Sequence, residues 1–83
     1  MLDLEQKSTR TYKGKTYTTW HGSPFDRGSA DSWYSRAKNP HWWPEGTYKG
    51  IRVDACDMTP EQIEAYNAGY DENEDFGGKK EWD

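Results

Sequence analysis

Branched aliphatic side chains are scarce in this chain: Leu2, Leu4, Ile51, Val53 and Ile63 are the only ones among 83 residues. A composition so poor in aliphatics pushes a short chain toward disorder unless something else builds a core. Cysteine is nearly absent too. With Cys56 alone, no internal disulfide and no multi-cysteine metal site can form, and the staples of small secreted domains are missing, which points to a reducing cytoplasm. No apolar run approaches the roughly 20 residues that span a bilayer, and MLDLEQKS lacks the basic start and apolar stretch of a signal peptide. Membrane insertion is therefore not expected.

What the chain has instead is rings. Five Trp, six Tyr and two Phe are present, and each buries on the order of 150–250 Å² when packed. A domain of this size cannot enclose all of them, so some are expected at the surface, where Trp and Tyr are common anchors of binding sites. The net charge of −4 is also unevenly spread. Residues 1–53 carry nine Lys or Arg against five acids, whereas residues 54–83 carry ten acids against Lys79 and Lys80. Such polarity steers association with charged partners, or forms ordinary solvated surface.

Along the chain, residues 1–8 read as a flexible N-terminus, with Leu2 and Leu4 spaced to join a sheet edge. Thr and Tyr around Lys13-Gly14 predict a β-hairpin over 9–20. Ser29 as N-cap, with Asp31 in the first turn, predicts a short helix over about 29–37. Two prolines and a glycine make PHWWPEG a loop, and YKGIRV at 48–53 alternates as a strand. Thr59, Pro60 and Gln62 form a capping box that opens a second helix, with Ile63, Tyr66 and Tyr70 as its core stripe and Glu61, Glu64 and Glu72 on the opposite side. That helix is expected to fade near Asp71, leaving 73–83 as an acidic tail pinned by Phe76 and Trp82. The expectation is a single α+β domain over 9–72: a small antiparallel sheet, made of the hairpin plus one further strand, packed by two short helices.

Two segments carry most of the candidate chemistry. HGSPFDRGSADSWYSR offers His21, Asp26, Arg27, Asp31, Trp33, Tyr34 and Arg36. These residues either form a polar pocket for a phosphate, a base or an acidic side chain, or cap turns and fill the core. His41-Trp42-Trp43-Pro44 places two adjacent rings in an extended loop near Lys38, Lys49 and Arg52. That loop is either a stacking platform for single-stranded nucleic acid, a protein-binding hot spot, or a lid over a thin core. His21, Asp26, Asp31 and His41 have no metal-ligand spacing, and the acidic neighbours of Cys56 disfavour a thiolate nucleophile. Neither a metal, nor a cofactor, nor catalysis is expected.

The segment Asp26-Arg27-Gly28-Ser29-Ala30-Asp31-Ser32-Trp33-Tyr34-Ser35-Arg36 is similar to the DRGSADxxYxR core of small tailed-bacteriophage accessory proteins. In these it is followed by a Pro-His pair, here Pro40-His41, by a TxEExxAYxxGY helix, here Thr59 to Tyr70, and by Lys-x-Trp, here Lys80-Glu81-Trp82. The resemblance covers roughly residues 20–83 and implies a phage origin and a host-cytoplasm location. Ala65-Tyr66-Asn67-Ala68-Gly69-Tyr70 also resembles the helices of ribosome modulation factors, which are short basic proteins.

The expected function is non-catalytic binding and modulation of a bacterial host protein, as a monomer or homodimer. Glu61, Glu64, Asp71, Glu72, Glu74 and Asp75 would form an acidic face that mimics nucleic acid. The alternative is an RNA- or single-strand-binding module, free or ribosome-associated, working through the basic, aromatic N-terminal part.

Overall fold

The structure is a computed structural model that describes residues 9–80. The roles expected of Leu2, Leu4 and Trp82 fall outside the described residues.

The hairpin forms where its turn chemistry places it. Strand β1 (Thr9–Tyr12) pairs antiparallel with β2 (Lys15–Thr18), from Thr9 opposite Thr18 to Tyr12 opposite Lys15. Lys13 and Gly14 both have positive φ, 52° and 83°, the two-residue type I′ geometry that matches strand twist. Side chains alternate between faces along a strand. The register therefore puts Arg10, Tyr12, Lys15 and Tyr17 on one face and Thr9, Thr11, Thr16 and Thr18 on the other. Tyr12 and Tyr17 are buried, and Thr11 and Thr16 meet across the outer face at 3.0 Å.

Helix α1 (Pro24–Trp33) starts earlier than the sequence suggested. Its N-cap is Ser23, whose hydroxyl accepts from the Asp26 amide at 3.2 Å, with Pro24 in the first turn. Ser29 lies inside the helix. A Ser-Pro pair is a complete helix start because the ring fixes φ and needs no hydrogen bond there. Helix α2 (Pro60–Phe76) repeats the device with Thr59-Pro60, and its capping box with Gln62 is present. It runs on to Phe76, four residues into the stretch expected to be tail.

The remaining strands are minimal. β3 (His41–Trp42), in the segment expected to be all loop, pairs with β4 (Val53–Asp54). The fold is α+β, but the sheet consists of two separate two-stranded ribbons, not a hairpin extended by residues 48–53. Tyr48 at φ 65° and Gly50 at φ 70° turn the backbone out of the extended region, so only the end of that segment can pair.

The two helices cross at glycines. A side chain on Gly28 would run into the Tyr66 carbonyl, with its carbon 2.9 Å away, and one on Gly69 would run into the Phe25 carbonyl, with Phe25 Cα at 3.1 Å. Each helix thus presents a bare backbone to the other. Around the crossing, Tyr12, Tyr17, Phe25 and Ala68 form the apolar cluster, with the Tyr17 and Phe25 rings stacked at 5.2 Å. Tyr66 is fully buried, while Ile63 and Tyr70, the rest of its expected stripe, are half-buried. Polar side chains complete the interior: Ser23, Arg27, Asp31, Ser32, His41, Glu72 and Asn73 are all buried.

Charge complementarity docks the hairpin on α2. Arg10 reaches Glu72 at 2.6 Å, Tyr12 donates to Asp75 at 2.7 Å, and Lys15 and Tyr17 both donate to Glu64, at 3.0 and 3.1 Å. Every inward side chain of the hairpin therefore has a carboxylate partner on one helix. Part of the basic and acidic asymmetry of the chain is a complementarity of the fold with itself.

Candidate functional site

The two histidine- and arginine-bearing segments meet behind α1. Gly22 and Trp43 join them: the Trp43 amide donates to the Gly22 carbonyl at 2.8 Å, and a side chain at Gly22 (φ +102°) would collide with the Trp43 carbonyl. Between α1 and the segment 36–52 lies a cavity of about 320 Å³, lined by Arg27, Asp31, Arg36, Ala37, Asn39, His41, Trp43, Tyr48 and Arg52.

Asp31 organises its floor. The buried carboxylate accepts from the Tyr66 hydroxyl and, at 3.2 Å, from Arg36. The Tyr66 oxygen in turn accepts from the Asn39 amide at 2.9 Å. His41 lies 3.9 Å from Asp31 and 2.7 Å, through Nδ1, from the Asn39 carbonyl. A carbonyl only accepts, so Nδ1 carries the proton. Burial holds the imidazole below its ordinary 6.5 despite the Asn39 bond, which leaves it neutral at pH 7.

Arg27 is the least ordinary group in the cavity. Only 6% of the residue is exposed. Its guanidinium donates to Thr47 at 3.1 Å and stands 3.7 Å from Asp26, yet its Nε is buried without a partner among the described residues. Asp26 itself accepts from the Gly22 amide at 2.9 Å. Arg36 also lies over the Tyr34 ring at 4.9 Å, and Arg52 pairs with Asp54 at 2.6 Å. Each guanidinium thus has one carboxylate against it, and those of Arg36 and Arg52, on partly exposed side chains, keep donors open to a ligand. At the rim Tyr48 is 72% exposed and meets Trp43 edge to face at 5.5 Å.

Of the residues singled out in the sequence, Arg27, Asp31, Arg36, His41 and Trp43 line this cavity. Asp26 supports it from behind through Arg27. His21 is exposed and outside it, and Trp33 and Tyr34 are partly exposed at the C-terminal end of α1. Trp42 turns the other way, into a second, more apolar groove of about 450 Å³ with Trp20, Tyr17 and Pro24, where its indole N–H is buried without a partner among the described residues. Arg52, Tyr48, Asn39 and Tyr66 belong to the site although no local motif marks them. Long-range packing brings them in, and among them only the nearby positive charge of Arg52 was visible in the sequence.

The acidic residues are placed differently from a continuous free face. Glu64, Glu72 and Asp75 bond to the hairpin, Asp71 pairs with Lys38 at 2.9 Å, and Glu74 holds Lys79 and the Ser32 hydroxyl. Glu72 is buried, not turned to the outer side of α2. Glu61 is exposed. Lys15 and Tyr17 hold Glu64, and Lys79 and Ser32 hold Glu74, below the ordinary carboxylate value of 4.5.

These shifts set a stability profile. Tyr12 is pushed up to about 12 by its hydrogen bond to Asp75, Tyr17 is raised by burial and Glu64, and Tyr66 is raised by burial and Asp31. A raised folded-state value stabilises below the unfolded value of 10.0 and is lost as pH climbs through the folded one. The lowered values of His41, Glu64 and Glu74 act oppositely, stabilising above 6.5 and 4.5 and failing as pH drops below them. Chemical denaturation across pH should show a plateau from about 7 to 10, with losses on both sides. On the alkaline side tyrosinate absorbance should rise together with unfolding.

Among the described residues no three His, Cys, Asp or Glu stand close enough to hold a metal ion, and no helix is long and apolar enough to cross a membrane. Comparison with protein-family models, curated proteins and solved structures gives no match.

Proposed function

We propose that this is a non-catalytic phage accessory protein that binds single-stranded nucleic acid in the host cell through the arginine cavity and its aromatic rim. One observation carries the reading: Arg27, Arg36 and Arg52 line a single cavity with Trp43 and the exposed Tyr48. Guanidinium forks bind phosphate oxygens, and a bare ring accepts any base by stacking, so the pair suits a strand whose bases are unpaired. Support for binding without chemistry comes from Asp31, the buried carboxylate of the cavity, which is already engaged by Tyr66 and Arg36.

A host protein captured through the acidic helix is the weaker proposal, because Glu64, Asp71, Glu72, Glu74 and Asp75 already have internal partners.

Fluorescence anisotropy with a labelled single-stranded oligonucleotide tests the reading. Binding should weaken linearly on a log–log salt plot, because contact with phosphate releases counterions. Arg36→Ala and Arg52→Ala, both at partly exposed side chains, should each weaken binding and flatten that slope, and leave the circular dichroism unchanged. A flat titration at low salt rejects the proposal.

A further inference from the structure

We propose that the arginine cavity is a receptor for a terminal phosphate monoester, so that a nucleic-acid strand is held by its phosphorylated end. This rests on the nucleic-acid reading above and sharpens it, because the cavity differs from a groove made for a strand passing through.

The first observation is the origin of the donors. Arg27 comes from the middle of α1, Arg36 from the turn that follows it, and Arg52 from the approach to β4. Guanidinium groups from three separate segments suit a tetrahedral group with three terminal oxygens, which forks can grip from several sides at once. A phosphodiester within a strand offers only two such oxygens, and its flanking nucleotides must leave on both sides. At about 320 Å³ the cavity stands near the lower end of the roughly 300–1,000 Å³ typical of small-ligand sites. It has room for a phosphate and its sugar, not for a run of nucleotides.

The second observation is independent of shape. The Arg27 side chain is only 7% exposed, and its Nε is buried with no acceptor among the described residues. Buried charged donors are rarely left in that condition. Asp26 and Thr47 leave a guanidinium of five N–H donors short of acceptors, and an oxygen lodged on its cavity side, where Arg27 lines the wall, adds one.

The third is charge. Asp26 stands on Arg27, Asp31 on Arg36 and Asp54 on Arg52. These carboxylates hold the guanidiniums in place and also compete with any anion. A monoester, with a charge of about −1.5 to −2 near neutral pH, competes better than a diester with about −1. His41 adds no cation, since burial keeps it neutral. Tyr48, exposed at the rim on a left-handed backbone, stands where the first base of an end-bound strand would stack.

The experiment compares three oligonucleotides of one sequence, bearing a 5′-phosphate, a 3′-phosphate or only hydroxyl ends, with a phosphoserine peptide as a fourth ligand. One of the phosphorylated ends should bind about tenfold or more tightly than the hydroxyl strand, a difference of one decade in Kd. Arg27→Lys should erase that preference. Should the buried position fail to fold with lysine, Arg52→Gln at its partly exposed site should reduce the preference instead. Equal affinity for all three strands overturns the terminal-phosphate inference and leaves nucleic-acid binding standing. No binding by any strand overturns both, and tighter binding of the phosphopeptide than of every strand assigns the cavity to a protein ligand.

Discussion

Gly28→Ala and Gly69→Ala should each lower the melting temperature by about 12–24 °C, corresponding to about 3 kcal/mol. In a free helix, alanine for glycine is a gain of about 1 kcal/mol. Here the sign reverses because the added methyl meets backbone, not a side chain that can swing away: the Tyr66 carbonyl for Gly28 and the Phe25 carbonyl for Gly69. Relief requires the helices to separate, and separation loosens every contact around the crossing, including the Tyr17–Phe25 stack. A short domain starts from the low end of the usual 5–15 kcal/mol, so either variant should be partly unfolded at 37 °C. The two substitutions strike one interface, so the double variant should lose less than the sum of the singles. Thermal circular dichroism decides: an unchanged or raised melting point would mean that the helices do not touch through their glycines.

Asp31→Asn should separate stability from binding. The carboxylate accepts from the buried Tyr66 hydroxyl and from Arg36, and hydrogen bonds to a charged group contribute about 1.5–3 kcal/mol each. The amide keeps the volume and one acceptor oxygen, so the expected loss is at the lower end, about 2 kcal/mol. Oligonucleotide binding should move the other way. The substitution removes a negative charge from the cavity and frees Arg36, and one unit charge at about 4 Å is worth at least 1 kcal/mol even in water, or about fivefold in affinity. A variant that is less stable yet binds more tightly is the pattern of a site whose charge holds the fold at the expense of the ligand. If stability and affinity fell together, Asp31 would be only a structural support and the cavity would not be the site of anion binding.

How much of this was legible in the sequence depended on how local each signal is. The hairpin was readable because Lys13-Gly14 suits its turn and the Tyr and Thr side chains around it alternate. The start of α2 was readable because Thr59, Pro60 and Gln62 fix it within four residues. α1 was misplaced by competition between two local signals. Ser29 and Asp31 look like a cap and first turn, whereas the Ser23-Pro24 pair that starts the helix sits in a stretch, His21 to Phe25, whose glycine and proline suggest a loop. Gly28 is in mid-helix for a reason no local rule supplies, the backbone of α2 lying against it. The same holds for Tyr48 and Gly50, whose left-handed backbone breaks a segment that alternates like a strand.

The candidate site was half visible. Asp26, Arg27, Asp31 and Arg36 stand within one stretch whose density of polar groups marks it. Arg52 and Tyr48 reach the cavity only through the β3–β4 pairing. The charge asymmetry was visible, but its sense was not. Seen along the chain it suggests an external partner, whereas Arg10, Lys15, Lys38 and Lys79 meet Glu72, Glu64, Asp71 and Glu74 inside the same molecule. Aromatic abundance was the sounder guide, since Tyr12, Tyr17, Phe25 and Tyr66 fill the interior and Tyr48 stays outside.

Where the ligand sits is the most direct question, and an NMR titration of the isotope-labelled protein with a phosphorylated single strand answers it. The Nε–H resonance of Arg27, the indole resonance of Trp43 and the backbone amides around Tyr48 and Arg52 should shift together and saturate at one concentration, while those of Glu61 and its neighbours on α2 stay in place. Shifts confined to the acidic helix, or none at the arginines, would contradict the account.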